Sequence, residues 1–124
     1  MTRVTGIGGV FIRAKNFDTL RKWYMDHLGL DTGEWGKTFE WNDPAGSTAW
    51  TIFKPESTYF PQSQGVMINY RVADVHALVA ALRAEGCNVD EKVEDTDFGK
   101  FGWVTDPEGN KIELWEPPPA TPKG

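Results

Sequence analysis

The chain has 124 residues, of which 40% are hydrophobic and 25% charged, a composition that fits one folded domain and excludes a disordered or fibrous chain. Thirteen basic against 18 acidic residues give a net charge of −5, which argues against general nucleic-acid binding, because that function needs clustered Lys and Arg. The single cysteine, Cys87, excludes an internal disulfide or a multi-thiolate zinc cluster and fits a reducing compartment. No apolar run approaches the roughly 20 residues that span a bilayer, and Met1–Gly9 lacks the apolar core of a signal peptide. We therefore expect a soluble, cytoplasmic domain with neither nucleic acid nor membrane as a partner.

In the first half, a strand-like run ends at a helix-capping residue, Asn16, and an apolar helical stripe follows it as far as Gly29. The pattern predicts a helix over about 17–28. Strands are predicted near 7–14, 30–34, 38–42 and 47–53.

The second half repeats this pattern of helix start and end signals. Asp74 takes the place of Asn16, Gly86 takes the place of Gly29, and the predicted helix covers about 75–85. An Asp-Pro-x-Gly turn precedes the last strand of each half, at 43–46 and at 106–109. Strands are predicted near 66–72, 88–93, 99–105 and 110–115.

Each half therefore has the order strand, helix and three strands, and the chain is an α+β domain of two tandem βαβββ modules. The domain covers residues 1–117, with modules at about 4–55 and 66–117, a linker at 56–65 and a flexible proline-rich tail at 118–124. Two such sheets, edge to edge, are expected to form one curved, cup-shaped mixed sheet with the helices outside.

Strand alternation divides the side chains between the two faces of this sheet. One face is mostly aliphatic and is expected to lie under the helices. The other face is mixed, with aromatic, polar and charged side chains, and is expected to line the cup. The cup-facing candidates are Phe11, Arg13, Thr51, Phe53, Asn69, Arg71, Glu113 and Trp115.

The paired modules, the Tyr-x-x-x-Leu-Gly helix end at 24–29 and the Asp-Pro-Glu-Gly-Asn-Lys-Ile-Glu-Leu segment at 106–114 resemble the vicinal oxygen chelate superfamily. This group includes glyoxalases, bleomycin-resistance proteins and extradiol dioxygenases. The resemblance covers about residues 4–117 and implies the cup-shaped glyoxalase/bleomycin-resistance fold.

Metal-using members of that group place four ligands, usually His and Glu, on the four central strands. The resemblance puts these positions at Gly9, Thr51, Met67 and Glu113, and only Glu113 is a good ligand for the metals concerned. Both histidines, His27 and His76, fall on helices outside the cup, and we interpret them as surface residues. Cys87 is interpreted as a small packed residue. We therefore expect no metal and no other cofactor.

Arg13 and Arg71 occupy equivalent positions in the two modules and are predicted to form a clamp for an anionic ligand. The resemblance supports this for Arg13, which matches an arginine that holds a substrate carboxylate in glyoxalase I enzymes. The alternative is that each arginine forms a local ion pair. Glu113 acts as a general base if it is desolvated, or stays ionised and structural if an arginine contacts it.

Three functions remain open on the sequence. The favoured one is a metal-independent binder of a small anionic or aromatic molecule in the cup, as in bleomycin-resistance proteins. The alternative is an enzyme, a lyase or isomerase of the lactoylglutathione-lyase type that uses Glu113 as base or metal ligand. The third is a non-catalytic interaction domain with a filled cup. We expect a homodimer, because two short modules leave open sheet edges. The sequence identifies neither the ligand nor a reaction.

Overall fold

The structure is a computed structural model that describes residues 7–33, 36–41 and 46–119. Residues 4–6 of the first predicted module, the first-half turn at 43–45 and most of the predicted tail, at 120–124, lie outside the described residues. The elements in chain order are α1 (Phe17–Leu28), β1 (Asn69–Arg71), α2 (Val75–Ala84), β2 (Asn88–Val89), β3 (Glu94–Thr96), β4 (Gly99–Thr105) and β5 (Lys111–Glu116).

Both helices begin and end at the residues that the sequence indicates. The Asn16 side chain accepts from the Thr19 N–H at the start of α1, and the Asp74 side chain accepts from the Ala77 N–H at the start of α2. Gly29 ends α1 with φ at 66°, a conformation that favours glycine. Within the described ranges, neither helix is long and apolar enough to cross a membrane.

The strands form one mixed sheet in the order β1-β5-β4-β2, with β3 also paired to β4. β1 runs parallel to β5, and the other pairs are antiparallel. β1, α2, β2, β4 and β5 follow the order of the βαβββ module predicted for the second half, and β3 is an additional short strand. Of the strand predicted at 88–93 only β2, at Asn88–Val89, forms, and β3 lies beyond it at Glu94–Thr96. Both β2 and β3 pair with β4.

One core joins both helices to one face of the sheet. As the alternation predicts, Ile112 and Leu114 of β5 face the helices and are almost fully buried. Gly102 of β4 lies where α2 approaches most closely, since an added Cβ there would lie 2.9 Å from the Val79 Cγ2. The buried core cluster is Leu20, Tyr24, Val75, Val79, Leu82, Val104, Ile112 and Leu114.

The turn between β4 and β5 also attaches α1 to the second half of the chain. Asp106 is only 4% exposed, and its carboxylate accepts from the Tyr24 hydroxyl at 2.8 Å and from the side chain and backbone N–H of Asn110. Glu108 accepts from the backbone N–H of Lys15 at 2.7 Å and of Asn16 at 2.9 Å, just before the helix begins. The Asp-Pro-Glu-Gly segment is therefore a turn and a docking point for α1.

The first half contributes α1 but no strand among its described residues. The segments predicted as strands at 7–14 and 47–53 lie outside the sheet, and Val10, Ile12 and Ile52 are exposed there. Alternating apolar residues form a strand only when a neighbouring strand takes up their backbone groups. The structure therefore describes one complete βαβββ module, with the helix of the other module packed against it.

Candidate functional site

The sheet face opposite the helices carries the candidate site. We call it the open face, formed by Asn69, Arg71, Trp103, Glu113 and Trp115. The strand register explains the grouping, because Glu113 lies beside Asn69 on one side and Trp103 on the other, while Trp115 lies beside Arg71. Aromatic, amide and charged groups thus replace the aliphatic side chains of the helix-facing side.

Glu113 is the buried acid of this face, with 7% of its surface exposed. Its Oε1 accepts from the Asn69 Nδ2 at 2.7 Å. Its Oε2 accepts from the Trp103 Nε1 at 3.0 Å and from the Tyr59 hydroxyl. All three donors are neutral, so hydrogen bonds rather than a cation satisfy this buried carboxylate.

Tyr59 lies in the predicted linker, and it covers Glu113. Its ring stacks on Phe53 with centroids 5.4 Å apart and meets Trp103 edge-on at 6.0 Å. Burial raises the pKa of the Tyr59 hydroxyl, and its hydrogen bond to Glu113 adds to the rise, so the group stays protonated and acts as a donor. The predicted linker therefore forms part of the site.

Two further contacts hold this segment to the start of β5. The Gln64 side-chain amide pairs with the Lys111 backbone, donating to its carbonyl at 2.7 Å and accepting from its N–H at 2.8 Å. The Lys111 Nζ donates to the Tyr59 carbonyl at 3.2 Å and lies 5.6 Å from the centre of the Trp103 ring. These contacts to Lys111 hold the segment that carries Tyr59 over Glu113.

Two shallow depressions lie beside this aromatic layer, and Phe53 borders both. One, of about 370 Å³, is lined by residues 51–54, Glu56 and Ser57, and the other, of about 160 Å³, extends from Phe53 to Gly65. The larger falls within the size range of small-molecule sites, which is roughly 300–1,000 Å³. The stack of Phe53 on Tyr59 connects these depressions to the Glu113 carboxylate.

The structure places the remaining sequence candidates around this centre or apart from it. Trp115 donates from its indole nitrogen to the Phe98 carbonyl at 3.0 Å, at the far end of the open face. Arg71 is exposed beside it on β1. Thr51 is exposed and borders the larger depression. Arg13 is exposed in the segment before α1, and Phe11 in the same segment is 96% exposed.

The residues at the family's metal positions do not fit a four-ligand metal site. Gly9 has no side chain, Thr51 offers a neutral hydroxyl, and Met67 offers a thioether that suits soft metals only. Glu113, the remaining position, already accepts three hydrogen bonds. Across the described part of the chain, the only group of three or more His, Cys, Asp or Glu able to share an ion lies elsewhere, at His27, Glu85 and Cys87.

Sequence reasoning missed two residues of the site, Trp103 and Tyr59. Trp103 was detectable, because it stands as many residues before the 106–110 turn as Glu113 stands after it, which makes the two cross-strand neighbours on one face. Tyr59 carries no such signal, since it lies in a segment of irregular backbone whose path depends on tertiary contacts.

The fold agrees with a comparison against protein families. The family model described as Glyoxalase/Bleomycin resistance protein/Dioxygenase superfamily matches residues 6–114. The chain belongs to this superfamily. No curated protein matches the chain.

Several solved structures share the fold. TnmS3, an antibiotic binding protein from Streptomyces sp. CB03234, is 21% identical with a TM-score of 0.60, over 95% of this chain and 100% of its own. A superfamily member from Sphaerobacter thermophilus is 15% identical, with a TM-score of 0.56 over 91% of this chain and 98% of its own. A lactoylglutathione lyase from Agrobacterium tumefaciens is 15% identical, with a TM-score of 0.55 over 90% of this chain and 96% of its own. At these identities the likeness concerns the fold.

Proposed function

We propose that this superfamily member binds a small aromatic or anionic molecule at the open face, without a metal at Glu113. The observation that carries the proposal is the Glu113 carboxylate, buried among three neutral donors and beneath an aromatic layer. A face that served only as solvent-exposed surface has no need of a buried acid with a complete set of donors.

The aromatic part of the proposal rests on the rings that surround this carboxylate. Phe53 is 41% exposed, stacks on Tyr59 and contacts Phe60 edge-on at 5.4 Å, and it borders the larger depression. A planar ligand gains both apolar burial and ring stacking at such a surface. The similar fold of TnmS3, an antibiotic binding protein, supports this part of the proposal.

The anionic part rests on the two arginines. Neither Arg13 nor Arg71 makes an ion pair or side-chain hydrogen bond with any residue of the described ranges, and both are exposed. Arg71 follows Asn69 by two residues on β1, so both residues lie on the open face. A ligand carboxylate or phosphate that reaches Arg71 gains a charge-assisted, bidentate contact.

The test is a thermal-shift screen of small carboxylates, glutathione conjugates and aromatic antibiotics in the presence of a chelator, with calorimetric titration of the hits. We expect Arg71→Ala to weaken an anionic hit at least about tenfold, roughly 1.4 kcal/mol. Lys22→Ala is the matched control, because it removes an exposed cation of α1 that pairs with Asp26. Equal weakening by both variants, or none by Arg71→Ala, contradicts the anionic proposal, and hits that need added metal contradict metal independence.

Lyase chemistry is the second candidate, and the buried carboxylate is the observation that favours it. Glu113 is buried beneath Tyr59, so Tyr59 has to withdraw before a substrate can reach the carboxylate and give it a proton. Lactoylglutathione-lyase activity that survives a chelator and disappears in Glu113→Gln supports the enzyme. Tight binding without turnover supports the binder.

We further propose a homodimer. β1 is an edge strand of the sheet, and the first half exposes several large apolar side chains, among them Phe11, Trp41, Trp50 and Ile52. A second copy of the chain that covers both features fits them best. Sedimentation equilibrium at micromolar concentration tests this, and a monomer contradicts it.

A further inference from the structure

A second cluster of reactive side chains lies on the helix side of the sheet, where α1 and α2 end. His27 belongs to the last turn of α1, Glu85 caps the end of α2, and Cys87 follows two residues later. The His27 Nδ1 lies 2.6 Å from the Glu85 Oε1, and one ligand atom from each of the three residues lies within 4.8 Å of the others. We call these three residues the helix-end cluster.

We propose that the helix-end cluster binds a zinc ion through the His27 imidazole, the Glu85 carboxylate and the Cys87 thiolate, with water as the fourth ligand. Imidazole nitrogen, carboxylate oxygen and thiolate sulfur are the donors that Zn²⁺ uses in proteins, and three protein ligands with one open position is a common zinc arrangement. The proposal is independent of the open face, which lies on the other side of the sheet.

The side-chain movements that binding needs are small. Bond lengths of about 2.0–2.2 Å to nitrogen and oxygen and about 2.3 Å to sulfur put neighbouring ligands of a tetrahedral zinc roughly 3.3–3.6 Å apart. The His27 and Glu85 atoms, now 2.6 Å apart, therefore separate by about 1 Å or less. The Cys87 sulfur lies within 4.8 Å of both atoms, so it approaches by at most about 1.5 Å. The Glu85 side chain is 44% exposed and the His27 side chain 22% exposed, so both have room to turn.

The electrostatic setting also favours a cation. Both helices direct their C-terminal ends here, and the unpaired carbonyl groups of a helix end carry partial negative charge. Zinc binding releases the Cys87 thiol proton to solvent, and the thiolate sulfur then coordinates the ion.

The chain contains its own control for this proposal. His76 pairs with Asp95 at 2.8 Å, as His27 pairs with Glu85, and it also lies on a helix. No cysteine joins that pair, because Cys87 is the only one in the chain and belongs to the helix-end cluster. A comparison of variants at His27 and His76 therefore distinguishes a three-ligand zinc site from general zinc binding to surface His and carboxylate groups.

The experiment is a calorimetric titration of the reduced full chain with Zn²⁺ near pH 7.5, followed by a Co²⁺ titration monitored by absorbance. We expect one site per chain and a thiolate-to-cobalt charge-transfer band. We also expect a zinc-dependent rise in Tm, because binding to the folded state stabilises it. Cys87→Ser and His27→Gln should each weaken zinc at least tenfold, with loss of the cobalt band in Cys87→Ser. His76→Gln and Glu113→Gln should bind zinc as the parent does.

Three outcomes overturn the proposal. One is the absence of saturable binding below about millimolar zinc. Another is a Cys87→Ser variant that binds zinc like the parent. The third is equal weakening by His27→Gln and His76→Gln, which indicates general surface binding. Circular dichroism identifies any variant that fails to fold. If one does, the parent protein is treated with a thiol reagent with and without zinc. Slower modification of Cys87 in the presence of zinc supports the proposal, and an unchanged rate contradicts it.

Discussion

The hydrogen bond between Tyr24 and Asp106 attaches the first half of the chain to the second. Removing the Tyr24 hydroxyl measures how much this bond contributes to the free energy of unfolding. Tyr24→Phe removes the hydroxyl that donates to the buried Asp106 carboxylate at 2.8 Å and leaves the ring in the core. Asp106 keeps donors from Asn110, so the carboxylate is not left without partners. A hydrogen bond to a charged group contributes about 1.5–3 kcal/mol, and we expect the free energy of unfolding to fall by that amount near pH 7.

The assay is urea unfolding followed by tryptophan fluorescence, with Tyr70→Phe as the matched control. Tyr70 also packs against the core, but its hydroxyl makes no hydrogen bond to a side chain in the described ranges, so its loss should cost less than about 0.5 kcal/mol. If both variants lose the same free energy, the Tyr24 hydrogen bond does not stabilise the fold and the reasoning is wrong.

The difference in unfolding free energy between the parent and Tyr24→Phe should depend on pH. Burial, together with Asp106, raises the pKa of Tyr24 above the ordinary tyrosine value near 10. A raised pKa in the folded state means that the stabilisation is complete below pH 10 and is lost as the pH rises further, because the unfolded chain then releases the proton more readily. The difference in unfolding free energy between the parent and Tyr24→Phe should therefore shrink by about 1.4 kcal/mol between pH 8 and pH 11. A constant difference contradicts the assignment.

Three further substitutions test the backbone and packing by urea unfolding. Gly99→Ala should lower the free energy of unfolding by more than about 3 kcal/mol, because Gly99 has a φ of 120° and an added Cβ lies 2.6 Å from the Trp115 Nε1. A loss of less than about 1 kcal/mol contradicts this. Gly102→Ala should cost about 1–3 kcal/mol, since the new methyl meets Val79, and unchanged stability shows that α2 does not pack this closely. Asn16→Ala should cost about 1 kcal/mol through loss of the α1 cap, whereas no loss shows that the cap is dispensable.

Local signals in the sequence predicted the second half and both helices closely. Capping residues and C-terminal glycines are read within one or two turns of chain, and this explains why the bounds of α1 at 17–28 coincide with the prediction. Alternation likewise placed Ile112 and Leu114 toward the helices and Glu113 on the opposite face. These features depend on neighbours in sequence.

Features that depend on distant contacts were not predictable in the same way. Tyr59 meets Glu113 across 54 positions, and His27 meets Glu85 across 58. No periodic pattern in the sequence indicates that the residues of either pair lie in contact. Isolated from their partners, His27 and Cys87 were interpreted as an ordinary surface residue and an ordinary packed residue, and only the convergence of two helix ends brings them together.

The most direct test of the proposed binding site uses the indole groups as reporters. Trp103 donates to Glu113 and is 4% exposed, Trp115 lies on the same face, and Trp41 and Trp50 lie in the first half. Proton–nitrogen NMR spectra of the metal-free protein, assigned by single Trp→Phe variants, follow each indole N–H as a hit from the screen is added. We predict saturable one-to-one shifts of the Trp103 and Trp115 signals with the chelator present. Shifts confined to Trp41 and Trp50, or shifts of Trp103 that appear only when metal is added, contradict it.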